Sequence, residues 1–203
     1  MEIQDKPKIE KPIIEKRCVE CRSLTVSDDE NVMILSGLAT PFEVPTVLYE
    51  IDGVEYKEVI DRHALDNSDF SLCCLKYNHE NSVPVLARTR NGSLQTSIEN
   101  EGLRYSAKLA NTSVAKDVYT LVKEGILTQC SFAFTVKRSE YDKVTHTRRI
   151  LEIDKVFDIS IVDIPAYEDT NVEARSFFEL ESKKNRLESD KLKRKRLNIQ
   201  LRI

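Results

Sequence analysis

The chain has 203 residues, of which 40% are hydrophobic and 32% charged, and its formal net charge is −3. This length is enough for one sizeable core with a small appendage. No apolar run reaches the 18 residues that a membrane-spanning helix needs, and the charged N-terminus lacks the apolar segment of a secretory signal. The five cysteines are an odd set that includes the adjacent pair Cys73-Cys74. They argue against a disulfide framework and favour a reducing compartment.

The charges are distributed unevenly along the chain. Residues 183–203 carry nine basic and two acidic side chains, so this segment has a charge of +7 and the rest of the chain −10. A basic tail can contact nucleic acid or an acidic protein surface. Here no aromatic residues alternate with the cations to stack on bases. We therefore predict a charged helical tail and do not expect a nucleic-acid partner.

The N-terminal part offers little for a packed element. Residues 1–17 are rich in Lys, Glu, Pro and Ile, which predicts a mobile arm. Cys18 and Cys21 have the spacing of half a zinc site, but no second C-x-x-C pair completes a four-ligand set. We therefore predict no metal.

Short strand patterns follow, and most of them end at turn residues. The strand patterns up to residue 109 are 32–40, 44–51, 54–60, 72–77, 83–89, 93–98 and 103–109. Asp52-Gly53 and Asn91-Gly92 are dipeptides that tolerate positive φ, and each predicts a hairpin between the strands beside it. Residues 103–109 alternate strictly between apolar and polar, which is typical of a half-buried strand.

One helical pattern interrupts the strands. Apolar residues recur at helical spacing from Val114 to Val122, behind the capping segment 111–113 and before Gly125. Further strand patterns are 127–136, 148–156 and 158–164, and the chain becomes helical and charged from residue 173. The sequence predicts a β-rich α+β domain, a closed or nearly closed antiparallel-type β-barrel with helices packed outside.

Ser131 stands out because it lies inside an apolar strand pattern. Strand alternation places its side chain on the face opposite Phe132 and Phe134. A serine hydroxyl becomes a nucleophile only with a base in hydrogen-bonding reach and a third group that orients the base. The segment is not a G-x-S-x-G elbow, which excludes an ordinary α/β-hydrolase.

Only three histidines are available as the base. His63 lies in a predicted turn and His146 in a polar loop, whereas His79 follows directly on an apolar run. A strand at that point would hold the ring in place, so His79 is the preferred base. The acidic candidates for the third group are Glu152, Asp154, Asp158 and Asp163. Asp158 is preferred because a carboxylate within an apolar run needs a partner, and Asp154 is the runner-up.

Six segments in chain order carry a family resemblance: Asn78-His79-Glu80, Glu101-Gly102-Leu103, Lys123-Glu124-Gly125, 130–134, Arg149-Ile150 and 158–167. This ordered set, over about residues 32–175, resembles the prohead (procapsid maturation) serine proteases of tailed phages. That family is related in fold to the herpesvirus assemblin proteases. The resemblance implies that His79 is the general base, Ser131 the nucleophile and Asp158 the orienting group, although the assemblin relatives use a second histidine there. Ala133 and Glu80 depart mildly from the family pattern of glycine and aspartate.

The resemblance implies a serine endopeptidase, without metal or organic cofactor, that cleaves capsid and scaffold proteins during prohead maturation. Self-cleavage stays open. The expected partners are the major capsid protein precursor, the scaffold and further copies of the chain, inside the assembling procapsid in the host cytoplasm. The protease domain would span residues 18–175, between the arm at 1–17 and the tail at 176–203. The alternative is a non-catalytic capsid-assembly or scaffold-binding module of the same fold.

Overall fold

The computed structural model describes residues 13–20, 24–27 and 32–163, together with residues 178–181, 183–184, 186–187 and 190–195 of the C-terminal segment. Most of the predicted arm, Cys21 and the end of the tail lie outside these residues. The strands are β1 (Ile14–Glu20), β2 (Thr25–Val26), β3 (Ile34–Pro41), β4 (Thr46–Ile51), β5 (Val54–Ile60), β6 (Cys74–Tyr77), β7 (Ala87–Arg88), β8 (Leu94–Glu99), β9 (Gly102–Lys108), β10 (Gln129–Asp142) and β11 (Thr147–Val162). The helix α1 spans Ser113–Lys123.

The strands form two sheets. The larger one has the order β1-β10-β11-β5-β4, with β6 also paired to β11 and β7 paired to β6. The smaller one has the order β2-β3-β9-β8. One buried apolar cluster draws on both sheets and on α1, with Leu35 and Leu103 from the smaller sheet and Phe132, Phe134 and Ile159 from the larger. The main core therefore lies between the sheets.

The predicted closed or nearly closed antiparallel-type barrel is wrong. Within the described residues no ladder of hydrogen bonds joins the two sheets. The pairing is also not uniformly antiparallel, because β11 runs parallel to β5 over residues 147–150 and parallel to β6 over residues 158–161. Periodicity along a chain identifies strands and their buried faces, but it does not specify partners that are distant in sequence.

The two hairpin predictions have different outcomes. Asp52 (φ 53°) and Gly53 (φ 77°) join the antiparallel pair β4 and β5, so the first prediction is confirmed. The second is wrong, because residues 89–91 form a turn of 3₁₀ helix and Gly92 (φ 74°) ends it. The main-chain N–H of Thr89 donates to the carbonyl oxygen of Cys73 at 3.0 Å, and β7 pairs with β6. A glycine with positive φ closes either kind of turn, so the tertiary partner decides between them.

The predicted helix is confirmed with its caps. The hydroxyl of Thr112 accepts a hydrogen bond from the main-chain N–H of Ala115 at 3.2 Å, as an N-cap residue does. Gly125 follows the helix with φ 70°, and its N–H donates to the carbonyl of Val122 at 3.0 Å. Ala115, Val118 and Val122 form the buried side of α1. The helix thus packs its apolar stripe on the main core.

The longest elements are β10 and β11, which form one antiparallel hairpin. The sequence pattern predicts strands over 127–136 and 148–156 with a polar loop between them. In the structure the ladder continues through most of that polar segment, and the turn comes at residues 143–146. Several register shifts bend the hairpin along its length. This hairpin carries both Ser131 and Asp158.

Part of the predicted arm is an ordered strand. Residues 14–17 lie in β1, which pairs antiparallel with β10 over Ile14–Glu20. A buried cluster of charged side chains holds β1 in the larger sheet. Glu15 and Arg17 are only 7% and 6% exposed and meet two further buried charged residues, Glu58 of β5 and Arg148 of β11.

Each cation of this buried cluster contacts both carboxylates. Arg17 Nε donates to Glu58 Oε1 at 2.5 Å, and Arg17 Nη2 also binds Glu15. Arg148 donates to Glu15 at 2.8 and 3.0 Å and to Glu58 at 3.3 Å. Burial raises the pKa of Glu15, but the two guanidinium groups outweigh it and lower that pKa overall. The Glu15 contacts therefore stabilise the fold above the ordinary carboxyl range and are lost as the pH falls through the folded-state pKa.

We expect Glu58→Gln to lower the free energy of unfolding by about 3–5 kcal/mol, because removing one member of a buried charged cluster leaves the others uncompensated. Glu55→Gln on the same strand is the matched control, since Glu55 forms an exposed pair with Lys57 at 2.9 Å. Exposed pairs contribute little, so this variant should match the wild type. Urea unfolding of the three proteins measures the difference. Equal destabilisation by both substitutions would contradict the prediction.

The C-terminal segment enters the fold at Phe178, which is fully buried. Its ring lies 5.4 Å from the ring of Tyr56 and 6.2 Å from that of Tyr49. The described residues from 178 to 195 are helical, and after Phe178 most of them are exposed. No helix of the described part is long and apolar enough to cross a membrane.

Candidate active site

Ser131 lies in the middle of the larger sheet, on β10 between two paired strands. Cys18 of β1 is its neighbour on one side and Ser160 of β11 on the other. Phe132 and Phe134 stack with ring centroids 4.4 Å apart and belong to the main core. Strand alternation therefore turns Ser131 to the opposite face of the sheet. Its side chain is fully buried.

His79 is brought to the same face by the segment that follows β6. Both Asn78 and His79 have positive φ, 51° and 55°, which non-glycine residues rarely adopt. The main-chain N–H of Asn78 donates to the carbonyl of Ile161 at 2.9 Å, and the Asn78 Oδ1 accepts from the N–H of Asp163 at 3.1 Å. Asparagine tolerates this conformation better than most residues. The two hydrogen bonds tie the bend to the end of β11, so the histidine points back over the sheet.

The three residues that the sequence singles out form one hydrogen-bonded chain. His79 Nε2 lies 2.7 Å from Ser131 Oγ, and His79 Nδ1 lies 2.5 Å from Asp158 Oδ1. Asp158 is on the same face because it pairs with Ala133, two residues from Ser131, in the β10–β11 ladder. The structure therefore brings a hydroxyl, an imidazole and a carboxylate together in the order that acyl transfer by a serine requires.

The other candidates lie elsewhere. Asp154 is exposed on β11, Glu152 binds Lys137, and the Asp163 carboxylate accepts from the hydroxyl of Tyr77 at 3.4 Å. None of these three makes a described hydrogen bond with His79.

The two remaining histidines form contacts with residues other than Ser131 and Asp158. His63 is well exposed and pairs with Asp66 at 2.9 Å. His146 contacts the hydroxyl of Tyr141 at 3.1 Å.

Two residues that the sequence analysis did not select complete the surroundings of Asp158. Ser160 Oγ lies 2.9 Å from Asp158 Oδ1 and 3.1 Å from His79 Nδ1. Lys76 Nζ lies 4.0 Å from Asp158 Oδ2. The spacing of Asp158 and Ser160, two residues apart in one strand, places them on one face and was visible in the sequence. Lys76 comes from the parallel partner strand β6, which the sequence does not reveal.

Asp158 is charged in this environment. Burial raises the pKa of its carboxyl, but the hydrogen bond and electrostatic attraction from His79, the Ser160 hydroxyl and the Lys76 ammonium together lower that pKa below its ordinary value. An ionised carboxylate only accepts hydrogen bonds, so His79 Nδ1 carries the proton of their contact. His79 Nε2 is then free to accept the proton of Ser131.

Among the described residues no group of three His, Cys, Asp or Glu side chains is arranged to hold a metal ion. Cys18 is buried, with its Sγ 3.7 Å from Gln129 Oε1. Cys73, Cys74 and Cys130 are also buried, and Cys130 Sγ lies 3.1 Å from the hydroxyl of Tyr105. Burial raises the pKa of the Cys73 thiol to about 12, so this thiol is unreactive at neutral pH.

Comparison with known proteins gives a family for this chain. Residues 19–185 match the family of caudovirus prohead serine proteases. The chain belongs to this family. The resemblance stated from the ordered segments is thereby confirmed, and the chain is a protease of phage prohead assembly. No curated protein gave a match.

The fold has a solved counterpart. The structure of the bacteriophage T4 capsid assembly protease gp21 is similar, with a TM-score of 0.55 at 9% sequence identity, over 77% of this chain and 100% of that one. At so low an identity the likeness concerns the fold. In this prohead protease the family segment starts at residue 19, near the end of β1, and extends past Phe178, so it includes β2 to β11 and the start of the terminal helix.

Proposed function

We propose that this prohead protease is a serine endopeptidase in which Ser131 is the nucleophile, His79 the general base and Asp158 the group that orients the base. The single observation that carries the proposal is the continuous chain from Asp158 through His79 to Ser131, with contacts of 2.5 and 2.7 Å. The lowered pKa of Asp158 supports it, because only a charged carboxylate stabilises an imidazolium.

In the proposed reaction Ser131 Oγ attacks the carbonyl carbon of the scissile peptide bond while its proton moves to His79 Nε2. Asp158 stabilises the imidazolium that results. The tetrahedral intermediate collapses, the C–N bond breaks, and His79 gives the proton to the leaving amine. A water molecule then hydrolyses the acyl-enzyme with His79 again as the base.

The main-chain N–H of Ser131 is not available to stabilise the oxyanion. Ser131 is paired on both sides, with Cys18 and with Ser160, so its N–H belongs to the sheet ladder. This differs from serine proteases in which the nucleophile stands in a loop and its own N–H contributes. The oxyanion donors of this enzyme therefore come from another segment.

The burial of Ser131 and His79 affects both the strength of their hydrogen bonds and the access of substrate. Ser131 has no exposed surface, and the side chain of His79 is 5% exposed. Exclusion of water strengthens the hydrogen bonds of the triad. A substrate carbonyl also reaches Ser131 only after the atoms that cover it move, so we expect small serine-directed reagents to label the resting protein slowly.

The proposed substrates are the major capsid protein precursor and the scaffold, with self-cleavage as a further possibility to be measured. This follows from the family, whose members are prohead proteases, and from the description of the T4 relative as a capsid assembly protease. We propose that the chain acts inside the assembling procapsid in the host cytoplasm and associates with copies of itself. The alternative is a non-catalytic assembly module, which has no need of an ionised, aligned triad.

Intact-mass analysis tests the proposal. The purified chain and its Ser131→Ala variant are each incubated with the major capsid protein precursor of the same phage. We expect the wild type to shorten the precursor or itself, and the variant to leave both whole. If both proteins leave the precursor intact while both bind it, the assembly-module alternative replaces the protease.

A further inference from the structure

The hydroxyl of Ser160 is placed at the centre of the triad's supporting contacts. Ser160 Oγ lies within hydrogen-bonding distance of three groups: Asp158 Oδ1 at 2.9 Å, His79 Nδ1 at 3.1 Å and the main-chain N of His79 at 3.2 Å. The residue is fully buried, and it is the cross-strand neighbour of Ser131. A buried serine with one isolated bond would be a packing residue, whereas this one touches both the base and the carboxylate.

Counting protons assigns a direction to each contact. A serine hydroxyl has one proton to donate and two lone pairs to accept with. The main-chain N–H of His79 is a donor, so Ser160 accepts there. The ionised Asp158 only accepts, so Ser160 donates its single proton to the carboxylate. With that proton committed, Ser160 faces His79 Nδ1 with a lone pair, and Nδ1 must carry its own hydrogen.

The Ser160 hydroxyl also holds the main chain of His79. Asn78 and His79 both have positive φ, a conformation of higher energy for residues with a side chain. Such a backbone persists only where surrounding contacts hold it. The Asn78 contacts to β11 hold the first residue of the bend, and the bond from the His79 N–H to Ser160 Oγ holds the second. Ser160 Oγ is the partner that the described contacts give to this N–H, at 3.2 Å.

We propose that Ser160 is a positioning residue of the proteolytic site, which sets the Nδ1–H tautomer of His79 and holds its bend, so that Nε2 faces Ser131 as an acceptor. The proposal rests on the proposed triad and adds a fourth residue to it. Ser160 does not touch the substrate; it acts through His79 and Asp158. Its effect therefore falls on the step in which the Ser131 proton moves, and not on substrate binding.

A fluorophosphonate probe reports on that step without a protein substrate, and each variant is compared with a wild type whose site is covered in the same way. Ser131 Oγ forms a bond to phosphorus, the P–F bond breaks, fluoride leaves, and the serine proton moves to His79 Nε2. Labelling followed by intact mass gives the maximal labelling rate constant and the half-saturating probe concentration separately. We expect Ser160→Ala to lower the former by roughly 10- to 100-fold, the effect expected when a hydrogen bond to a charged group is lost. The half-saturating concentration should stay unchanged.

Two further variants separate positioning from simple packing. Ser160→Thr keeps the hydroxyl and should recover most of the labelling rate. Ser68→Ala is the matched control, because Ser68 Oγ donates to the carbonyl of Ile153 on the same strand β11 at 2.6 Å, away from the triad. It removes one side-chain hydrogen bond to β11 and should label at the wild-type rate. If Ser160→Ala does not fold, Ser160→Cys takes its place, since a thiol has similar size but is a weak donor.

A spectroscopic measurement adds an independent readout. The proton between His79 Nδ1 and Asp158 is observed by ¹H NMR in the wild type, Ser160→Ala and Ser68→Ala. We expect its resonance to shift or to broaden beyond detection in Ser160→Ala alone. A merely structural serine would leave this signal in place in any folded variant.

The outcomes distinguish failure of this proposal from failure of the proposed function. If Ser160→Ala labels at the wild-type rate with an unchanged proton resonance, while Ser131→Ala does not label, the triad stands and Ser160 has no positioning role. If wild type and Ser131→Ala label equally, Ser131 is not the nucleophile, and the role of Ser160 falls with the triad. Slow labelling in Ser160→Ala, restored in Ser160→Thr, supports the proposal.

Discussion

Replacing either Ser131 or His79 by alanine is expected to lower the rate of peptide cleavage by a factor of roughly 10⁴–10⁶, because members of a triad act as a unit. In the proposed mechanism the proton leaves the nucleophile through the 2.7 Å contact between His79 Nε2 and Ser131 Oγ. Without the base the hydroxyl stays protonated, and without the hydroxyl no acyl-enzyme forms. The double variant should be no slower than the slower single variant, since each substitution alone already disables the step.

The measurement is the initial rate of precursor cleavage, followed by mass spectrometry at equal protein concentrations. The chain offers a matched control for each substitution. His63→Ala removes an exposed histidine paired with Asp66, and Ser97→Ala removes an exposed serine of β8 bonded to Glu99. Both controls should cleave at the wild-type rate. A loss of less than tenfold in both Ser131→Ala and His79→Ala would remove these residues from the mechanism.

Asp158→Asn is expected to lower the cleavage rate by a factor of about 10⁴, the effect of presenting the base with an amide that favours the wrong tautomer. The geometry around Asp158 otherwise stays the same, because asparagine has the same shape. Its amide offers a donor where the carboxylate only accepts, and a donor facing His79 Nδ1 would move the imidazole proton to Nε2. His79 could then no longer accept from Ser131.

Asp154→Asn is the matched control, since Asp154 lies on the same strand but is exposed. The two variants decide between the two carboxylates that the sequence leaves open. A large loss in Asp154→Asn with normal cleavage by Asp158→Asn would reverse the assignment.

The pH dependence of stability gives a second readout on Asp158. The pKa of Asp158 is lowered in the folded state, so its contacts stabilise the protein above the ordinary carboxyl range. That contribution is lost as the pH falls through the folded-state pKa. Asp158→Asn should therefore lose less stability on acidification than the wild type, as measured by urea unfolding at several pH values.

Local patterns were enough to select Ser131 and His79 as candidates, and the structure places His79 Nε2 2.7 Å from Ser131 Oγ. Ser131 was recognisable because a hydroxyl within an apolar strand has little value for packing, and His79 because it follows a buried run. The ordered segments around them also led to the family, which the match over residues 19–185 confirms. Such signals are short in sequence, so each is visible without knowledge of the rest of the fold.

The assembly of the site depended on contacts between distant segments. The β10–β11 register places Asp158 opposite Ala133, and the parallel pairing with β6 delivers His79 to the same face. These two pairings bring Asp158, and not Asp154, to the histidine. The support from Ser160 and the positive φ of His79 follow from the same arrangement. No periodicity in the sequence encodes a register between strands separated by dozens of residues.

The features of the fold also divide into those that the sequence determined and those that the tertiary structure decided. By itself the sequence determined the capped helix α1, the Asp52-Gly53 hairpin and the apolar faces of the strands, because caps, turns and alternation depend on residues close together in the chain. Only the tertiary structure decided that the strands form two sheets and no closed barrel, that Asn91-Gly92 ends a 3₁₀ turn, and that β1 is held by buried charges. Strand partners and buried ion pairs are chosen by packing across the whole chain, and that choice has no local signature.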